Sequence, residues 1–432
     1  MSAAAPPLGT QGAVTPTPVA PWPRARVIAG RAPARPLPVV ERELTAALGQ
    51  TLAAPLAALI DLPAFDTSAM DGWAVAGPGP WRLAGRVLAG RTPLPLADGW
   101  ATEIATGAQL PPGATAVLRR EYGRVERPAL PQPGAGGNPV PGTLHSRVTG
   151  EPAPGQDVRP RGQECRSGEE LLPAGSTVTA AVLGLAAACG YDRLPVRRRP
   201  TVELLVLGDE LLESGLPGPG LVRDALGPLL QPWLGAAGAE LLGRRPVRDD
   251  FALLRDALRY SAAEVVVTTG GTAAGPVDFL HEALAECGGR LLVDGVAVRP
   301  GHPMLLAVLP PAVPGGSAGS RAGEGPVRYL VGLPGNPLAA VAGVVTLALP
   351  LLDALAGRPA GPGRFLRTAV ALAGHPTDTR LLPVRLGADG PVPLAFDGPA
   401  MLRGLARAEA LAVLPPGGVA AGERVELLGV PG

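Results

Sequence analysis

The chain contains no lysine; all 38 of its basic side chains are arginine. Chemistry that needs a lysine amine is therefore excluded. Asparagine occurs only at Asn138 and Asn336, and isoleucine only at Ile28, Ile60 and Ile104. Lysine, asparagine and isoleucine share AT-rich codons, so a GC-rich genome accounts for their scarcity and for the excess of Ala, Gly, Pro and Arg. Aromatics make up 3% and charged residues 17%, with a net charge of +1. No stretch concentrates arginine beyond Arg197, Arg198 and Arg199, and no basic face is interleaved with aromatics, which excludes a nucleic-acid binder. Three cysteines, Cys165, Cys189 and Cys287, are odd in number and lack CxxC spacing. They support neither a disulfide framework nor a zinc site and fit a reducing cytoplasm. The four histidines are equally scattered.

What remains is long and punctuated. At 432 residues the chain is sized for roughly two to four domains. Residues 1–23 are rich in Ala and Pro, lack a basic start and an apolar core, and read as a disordered leader rather than a secretory signal. Residues 37–55 carry apolar positions near helical spacing and predict an amphipathic helix. Residues 61–149 alternate short strand patterns with turns. Residues 338–357 are apolar over the length of a membrane span, but contain Asp353 and Pro350 and follow directly on a strand and turn. A buried helix of a soluble domain is expected there, with no membrane partner.

From Thr201 onward, buried strands and helices alternate, which predicts a doubly wound parallel sheet covered on both faces. Ligands bind such sheets beyond the carboxyl ends of the strands. Three loops predicted there are unusual: Gly208-Asp209-Glu210, Thr268-Thr269-Gly270-Gly271-Thr272 with Asp278 following, and Gly332-Leu333-Pro334-Gly335-Asn336-Pro337. Glycine turns and helix starts offer N–H groups to an anion. Clustered carboxylates beside them suggest a phosphorylated ligand held with a divalent cation. Taken singly, each loop is ordinary: Asn336-Pro337 also reads as a plain helix start. Their coincidence on one sheet edge carries the inference.

Four motifs, in order, resemble the molybdopterin molybdotransferases, relatives of the gephyrin E domain. They are PAFDTSAMDGWAV from Pro63, IATGAQLPPGATAV from Ile104, VVVTTGGTAAGPVDF from Val265 and VGLPGNPLAAV from Val331. The resemblance implies a multidomain α/β and β chain. Its parts are a linker and dimerisation domain (24–60 with 150–196), an inserted β-rich domain (61–149), a central molybdopterin-binding α/β domain (197–358) and a small C-terminal β domain (362–432). It implies a cytoplasmic homodimer that inserts molybdate into adenylated molybdopterin with release of AMP, using Mg²⁺. The molybdopterin adenylyltransferase and molybdoenzyme chaperones are the implied partners.

Carried over by position, Asp66, Asp71, Thr106, Glu210, Asp249, Asp278, Arg299 and His302 would be catalytic. Gly270, Gly271, Thr272, Pro334, Gly335 and Asn336 would bind the cofactor, and Glu210, Asp224 and Asp278 the metal. The active cleft would lie between the α/β domain of one subunit and the SAMDG-bearing domain of the other. Several positions depart from the family: His302 for lysine, Ala273 for serine, Leu207 for Ser or Thr, Leu226 in a DSN-like segment, Glu164 for Asp and Pro399 for serine. They set up a second expectation, a catalytically weakened paralogue acting as a pterin- or nucleotide-binding scaffold.

Overall fold

The computed structural model describes residues 19–126, 142–146, 151–272, 279–312 and 326–430. The chain forms two compact units, one of residues 1–40, 49–53 and 196–432, the other of residues 41–48 and 54–195.

The first unit is built on a six-stranded sheet. Its order is Glu240–Val247, Thr201–Leu207, Val265–Thr269, Arg328–Leu333, Leu305–Leu309 and Arg290–Asp294. The first four strands are parallel, as the strand–helix alternation predicts. The last two are antiparallel, a correction to the all-parallel expectation. The reason is local for Arg290–Asp294 and Leu305–Leu309: residues 295–304 between them hold a strand and a turn but no helix, and without a helical crossover neighbouring strands pair antiparallel. Alternate residues of the central strands feed two cores. Leu204, Val206, Val267 and Val331 pack with the helices Leu226–Ala236 and Pro337–Ala356. Leu205, Val266 and Leu330 pack with Phe251–Tyr260 and Leu280–Glu286. The apolar Pro337–Ala356 helix is mostly buried, as expected of a core helix.

The expected leader ends too late. Ala20–Pro21 pairs with Val296 and Ala297, and Trp22–Arg31 is a helix that begins with Pro23 in its first turn. Trp22 is 4% exposed, and its indole Nε1 donates to Thr346 Oγ1 (3.0 Å). Trp22, Ala25 and Ala29 form the buried stripe of that helix. The predicted helix at 37–55 is also corrected. The chain instead forms the strand Val39–Glu43, a 3₁₀ turn Leu44–Ala47 and the strand Thr51–Leu52. Pro36 and Pro38 disfavour helical backbone before them, two β-branched valines follow, and Gly49 has a left-handed φ of 75°. The C-terminal region pairs Thr379–Gly387, Ala410–Leu414, Arg424–Gly429 and Arg364–Arg367 around its own core. Val296–Arg299 leaves the α/β region and joins this sheet, parallel to Thr379 and Arg380.

In the second unit a six-stranded sheet runs Gly123–Glu126, Thr143–Ser146, Trp81–Val87, Trp100–Ile104, Gly72–Val75 and Ala116–Arg119, around Trp73, Trp81 and Leu118. Gly72 sits where a Cβ would lie 2.1 Å from Leu118 O, so only glycine fits between these strands. Two thiols distant in sequence meet here: Cys165 and Cys189 are buried with their sulfurs 3.9 Å apart and unbonded. Burial pushes the Cys189 thiol up to about 11.

Candidate functional site

In the first unit the carboxyl ends of the parallel strands open into a cleft of about 660 Å³. The sequence places its lining there for a simple reason: each parallel strand must end in a loop, and these loops are polar or glycine-rich. Of the residues singled out from sequence, Glu210, Asp224, Asp249, Gly270, Gly271, Gly335 and Asn336 line it. Gly270 and Gly271 have φ of 90° and 69°, the left-handed region that glycine enters freely. Gly270 N–H donates to Leu333 O (2.8 Å), tying one glycine turn to the strand that leads into the other. The turns abut, since a Cβ on Gly335 would stand 3.7 Å from Gly270 Cα.

The acids differ in what they are free to do. Asp224 is 5% exposed; its Oδ1 accepts N–H bonds from Leu226 (3.0 Å) and Gly227 (2.9 Å), and its Oδ2 pairs with Arg244. Its carboxylate closes a helix start and is engaged on both oxygens. Asp250 caps Phe251–Tyr260 through Leu253 N–H (2.9 Å). Asp249 accepts a single longer bond, from Asp209 N–H (3.3 Å), and the exposed Glu210 carboxylate has no ion-pair partner among the described residues. Among those residues no group of three His, Cys, Asp or Glu side chains is placed to hold a metal. Glu210 and Asp249 are thus carboxylates lining the cleft that have no ion-pair partner among the described residues. Asp278 and Ala273 lie outside the described residues.

Thr269 also lines the cleft. Its side chain is 2% exposed and its hydroxyl has no hydrogen-bond partner in the structure, as is also true of Thr268. The adjoining Thr272 and Pro334 are buried and do not line the cleft. At the start of Pro337–Gly343, Asn336 makes no side-chain cap. Pro399 O instead accepts from Leu338 N–H (2.9 Å) and Ala339 N–H (3.3 Å). The capping atom is a backbone carbonyl, which proline supplies as well as serine.

Two cations stand in the cleft, and neither is the expected one. Arg223 and Arg248 line it, the latter donating to Asp209 Oδ1 (3.1 Å). Arg299 and His302 do not line it. Arg299 Nε donates to Asp378 Oδ2 (2.8 Å), because its strand is drawn into the C-terminal sheet. His302 Nδ1 lies 2.9 Å from Val296 O, and since a carbonyl only accepts, Nδ1 carries the proton. The signal missed in sequence is a repeated tripeptide: Val222-Arg223-Asp224 and Val247-Arg248-Asp249. Each occurrence lies at the end of a strand at the cleft, Val222–Arg223 and Glu240–Val247.

Asp66, Asp71 and Thr106 belong to the second unit. Asp71 Oδ1 accepts from Thr106 N–H (2.7 Å) and Thr106 Oγ1 (2.9 Å), so the structure joins two residues that the sequence separates by 35 positions. These bonds, the backbone one first, hold the Asp71 carboxyl below its ordinary value. Asp66 Oδ1 accepts from Arg161 N–H (2.7 Å). Ser68 Oγ turns back onto the chain, donating to Met70 O (2.5 Å).

Three family models match in order. They are the MoeA N-terminal region (domain I and II) over residues 24–190, a probable molybdopterin binding domain over 203–354, and the MoeA C-terminal region (domain IV) over 366–429. The molybdopterin molybdenumtransferase 2 of Mycobacterium tuberculosis is 33% identical over 346 residues, covering 76% of this chain and 78% of that protein. The molybdopterin molybdenumtransferase of Nostoc sp. is 29% identical over 333 residues, covering 74% and 70%. The crystal structure of the molybdopterin biosynthesis moea protein from Pyrococcus horikosii superposes with a TM-score of 0.69 at 26% identity, covering 96% of this chain and all of that one.

Proposed function

This chain belongs to the MoeA family, and from that membership we propose that it is a molybdopterin molybdenumtransferase, taking adenylated molybdopterin and molybdate and releasing AMP. One observation carries the reading: a single cleft brings together two glycine turns, two arginines and the carboxylates of Glu210 and Asp249, neither of which has an ion-pair partner among the described residues. Arg223 and Arg248 supply fixed charge for phosphate, with the backbone of Gly271 and Gly335 as further donors. Leu207, Leu254 and Phe279 give apolar wall for a flat ring. Cleavage of the phosphoanhydride builds negative charge at the bridging oxygen, and preorganised cations and N–H groups there lower the barrier. No protein nucleophile is needed.

A Mg²⁺ ion, when bound, would neutralise charge on the phosphate oxygens, with Glu210 and Asp249 as the carboxylates to hold it. We extend the proposal to a homodimer in which Asp71 and Thr106 of one copy serve the cleft of the other. A molybdopterin adenylyltransferase would supply the substrate, and molybdoenzyme chaperones would receive the product. The departures from the family do not favour the scaffold reading. His302 stands away from the cleft, and Pro399 acts through its carbonyl.

The test is AMP release by the purified protein from adenylated molybdopterin with molybdate and Mg²⁺. Glu210→Gln is expected to lower kcat by about 10²-fold, the scale of losing one charge-stabilising group, with substrate still bound. Wild-type protein that binds the substrate and releases no AMP would overturn the proposal.

A further inference from the structure

We propose that Arg119 and Asp157 form a positioning pair that fixes the loop carrying Asp66 and Asp71, a role that rests on the reaction assigned above. The starting observation is backbone geometry. Asp157 has φ of 56° and is one of two non-glycine residues with positive φ among the described residues. An aspartate tolerates that region, but such a conformation persists only where its surroundings over-determine it.

The surroundings do so from both sides. Arg119 Nε donates to Asp157 Oδ2 and Arg119 Nη2 to Asp157 Oδ1, each at 2.8 Å, a two-pronged fork that fixes the carboxylate plane as well as its position. Along the backbone, Gln156 O accepts from Val117 N–H (3.0 Å), so the turn is anchored to the strand that bears Arg119. Asp157 O then accepts from Ala69 N–H (2.8 Å), inside the SAMDG segment. The next two residues continue the grip, with Val158 opposite Ser68 and Arg159 opposite Thr67.

The far end of the segment is held by the adjacent residue of the same strand region, since Arg120 N–H donates to Asp71 O (3.0 Å). Arg119 and Arg120 thus secure the loop at Ala69, through Asp157, and at Asp71 directly. Between those anchors lies a single residue, Met70, whose N–H and C=O both engage Ser68 Oγ. Asp71 is left with its carboxylate turned to Thr106. Neither Arg119 nor the Asp157 side chain bonds to Asp71 or Thr106. The pair therefore acts through the loop and not on the substrate.

Four variants of the full-length protein test this. Asp157→Asn keeps the shape and tolerates the positive φ but breaks the fork. Asp157→Gly removes the φ constraint together with the fork. Arg119→Met removes the cation, and the double variant Arg119→Met/Asp157→Asn removes both charges. The readouts are kcat and KM for AMP release, and hydrogen exchange at the Ala69 amide measured against core amides of Val267 and Val331.

Each single variant is expected to lower kcat about tenfold or more, the scale set by small misplacement of a reacting constellation, with KM for adenylated molybdopterin held within about twofold. Ala69 exchange should rise while Val267 and Val331 stay protected. Asp157→Gly should match Asp157→Asn, because the fork and not the φ is what they share. The double variant should lose less than the sum of the singles, since neither charge is left unpaired. Unchanged Ala69 exchange in the single variants would overturn the proposal, as would faster exchange with wild-type kcat. If the wild-type protein releases no AMP, the assigned reaction fails instead, and the exchange data still decide whether the pair holds the loop.

Discussion

Asp71 accepts both Thr106 bonds through one oxygen, and its carboxyl is held below the ordinary value of about 4 by them. A depressed folded-state value means that this contact stabilises fully above the ordinary carboxylate range and is lost as pH falls through the lower, folded value. The Thr106 amide resonance is therefore expected to hold its shift from neutral pH down past pH 4, about where a free aspartate titrates. It should move only in stronger acid. A Thr106 amide that titrates with an ordinary midpoint would show that the bonds do not form. This pair was legible in sequence only as two separate polar runs. The cations of the cleft were not legible, because the family pattern points to Arg299 and His302 while the charge stands at Arg223 and Arg248.

At the scale of elements, the clearest junction joins the Trp22–Arg31 helix to the Pro337–Ala356 helix. The latter contains one π-helical stretch, Val344–Ala348. The wider turn frees a carbonyl, and Arg26 Nη1 donates to Val345 O there. Thr346 Oγ1 donates to Ala342 O (2.6 Å) and accepts from the Trp22 indole. Thr346→Val keeps the volume and leaves the buried indole N–H unpaired. It is expected to destabilise the protein by about 2 kcal/mol, the cost of an unsatisfied buried donor. Trp22→Phe in the same background should add less than it does alone. Denaturant midpoints check both, and a loss under about 0.5 kcal/mol in Thr346→Val would remove the junction's importance. The strands and helices of the α/β region were legible because each buries a long apolar face. The 37–55 segment was not: its apolar spacing also fits short strands, and prolines with Gly49 decided against the helix.

For the whole molecule, the proposed homodimer makes a stoichiometric prediction. If Asp71 of one copy completes the cleft of the other, Asp71→Asn and Glu210→Gln protomers are each inactive alone. Mixed at random, half of the dimers are heterodimers, and each of these carries one intact site. Activity should return to about a quarter of wild type, the fraction fixed by two-fold symmetry. No recovery in a mixture whose exchange is verified by tagged subunits would show that each copy uses its own residues.

By itself the sequence determined the domain order, the alternating α/β region and the loops at its strand ends. These follow from local burial and turn chemistry, which neighbouring residues report directly. It also reported the absent lysine, which codon usage explains and which removed one class of cation from the site. The tertiary structure decided where the arginines stand. Arg299 follows its strand into the C-terminal sheet and pairs with Asp378, whereas Arg223 and Arg248 end strands that open on the cleft. It also decided that Arg244 pairs with the second oxygen of Asp224 and that Asp157 grips Ala69 across 88 positions of chain. These outcomes rest on which atoms long-range pairing brings within 3 Å or so, the reach of a hydrogen bond, and no local pattern encodes that.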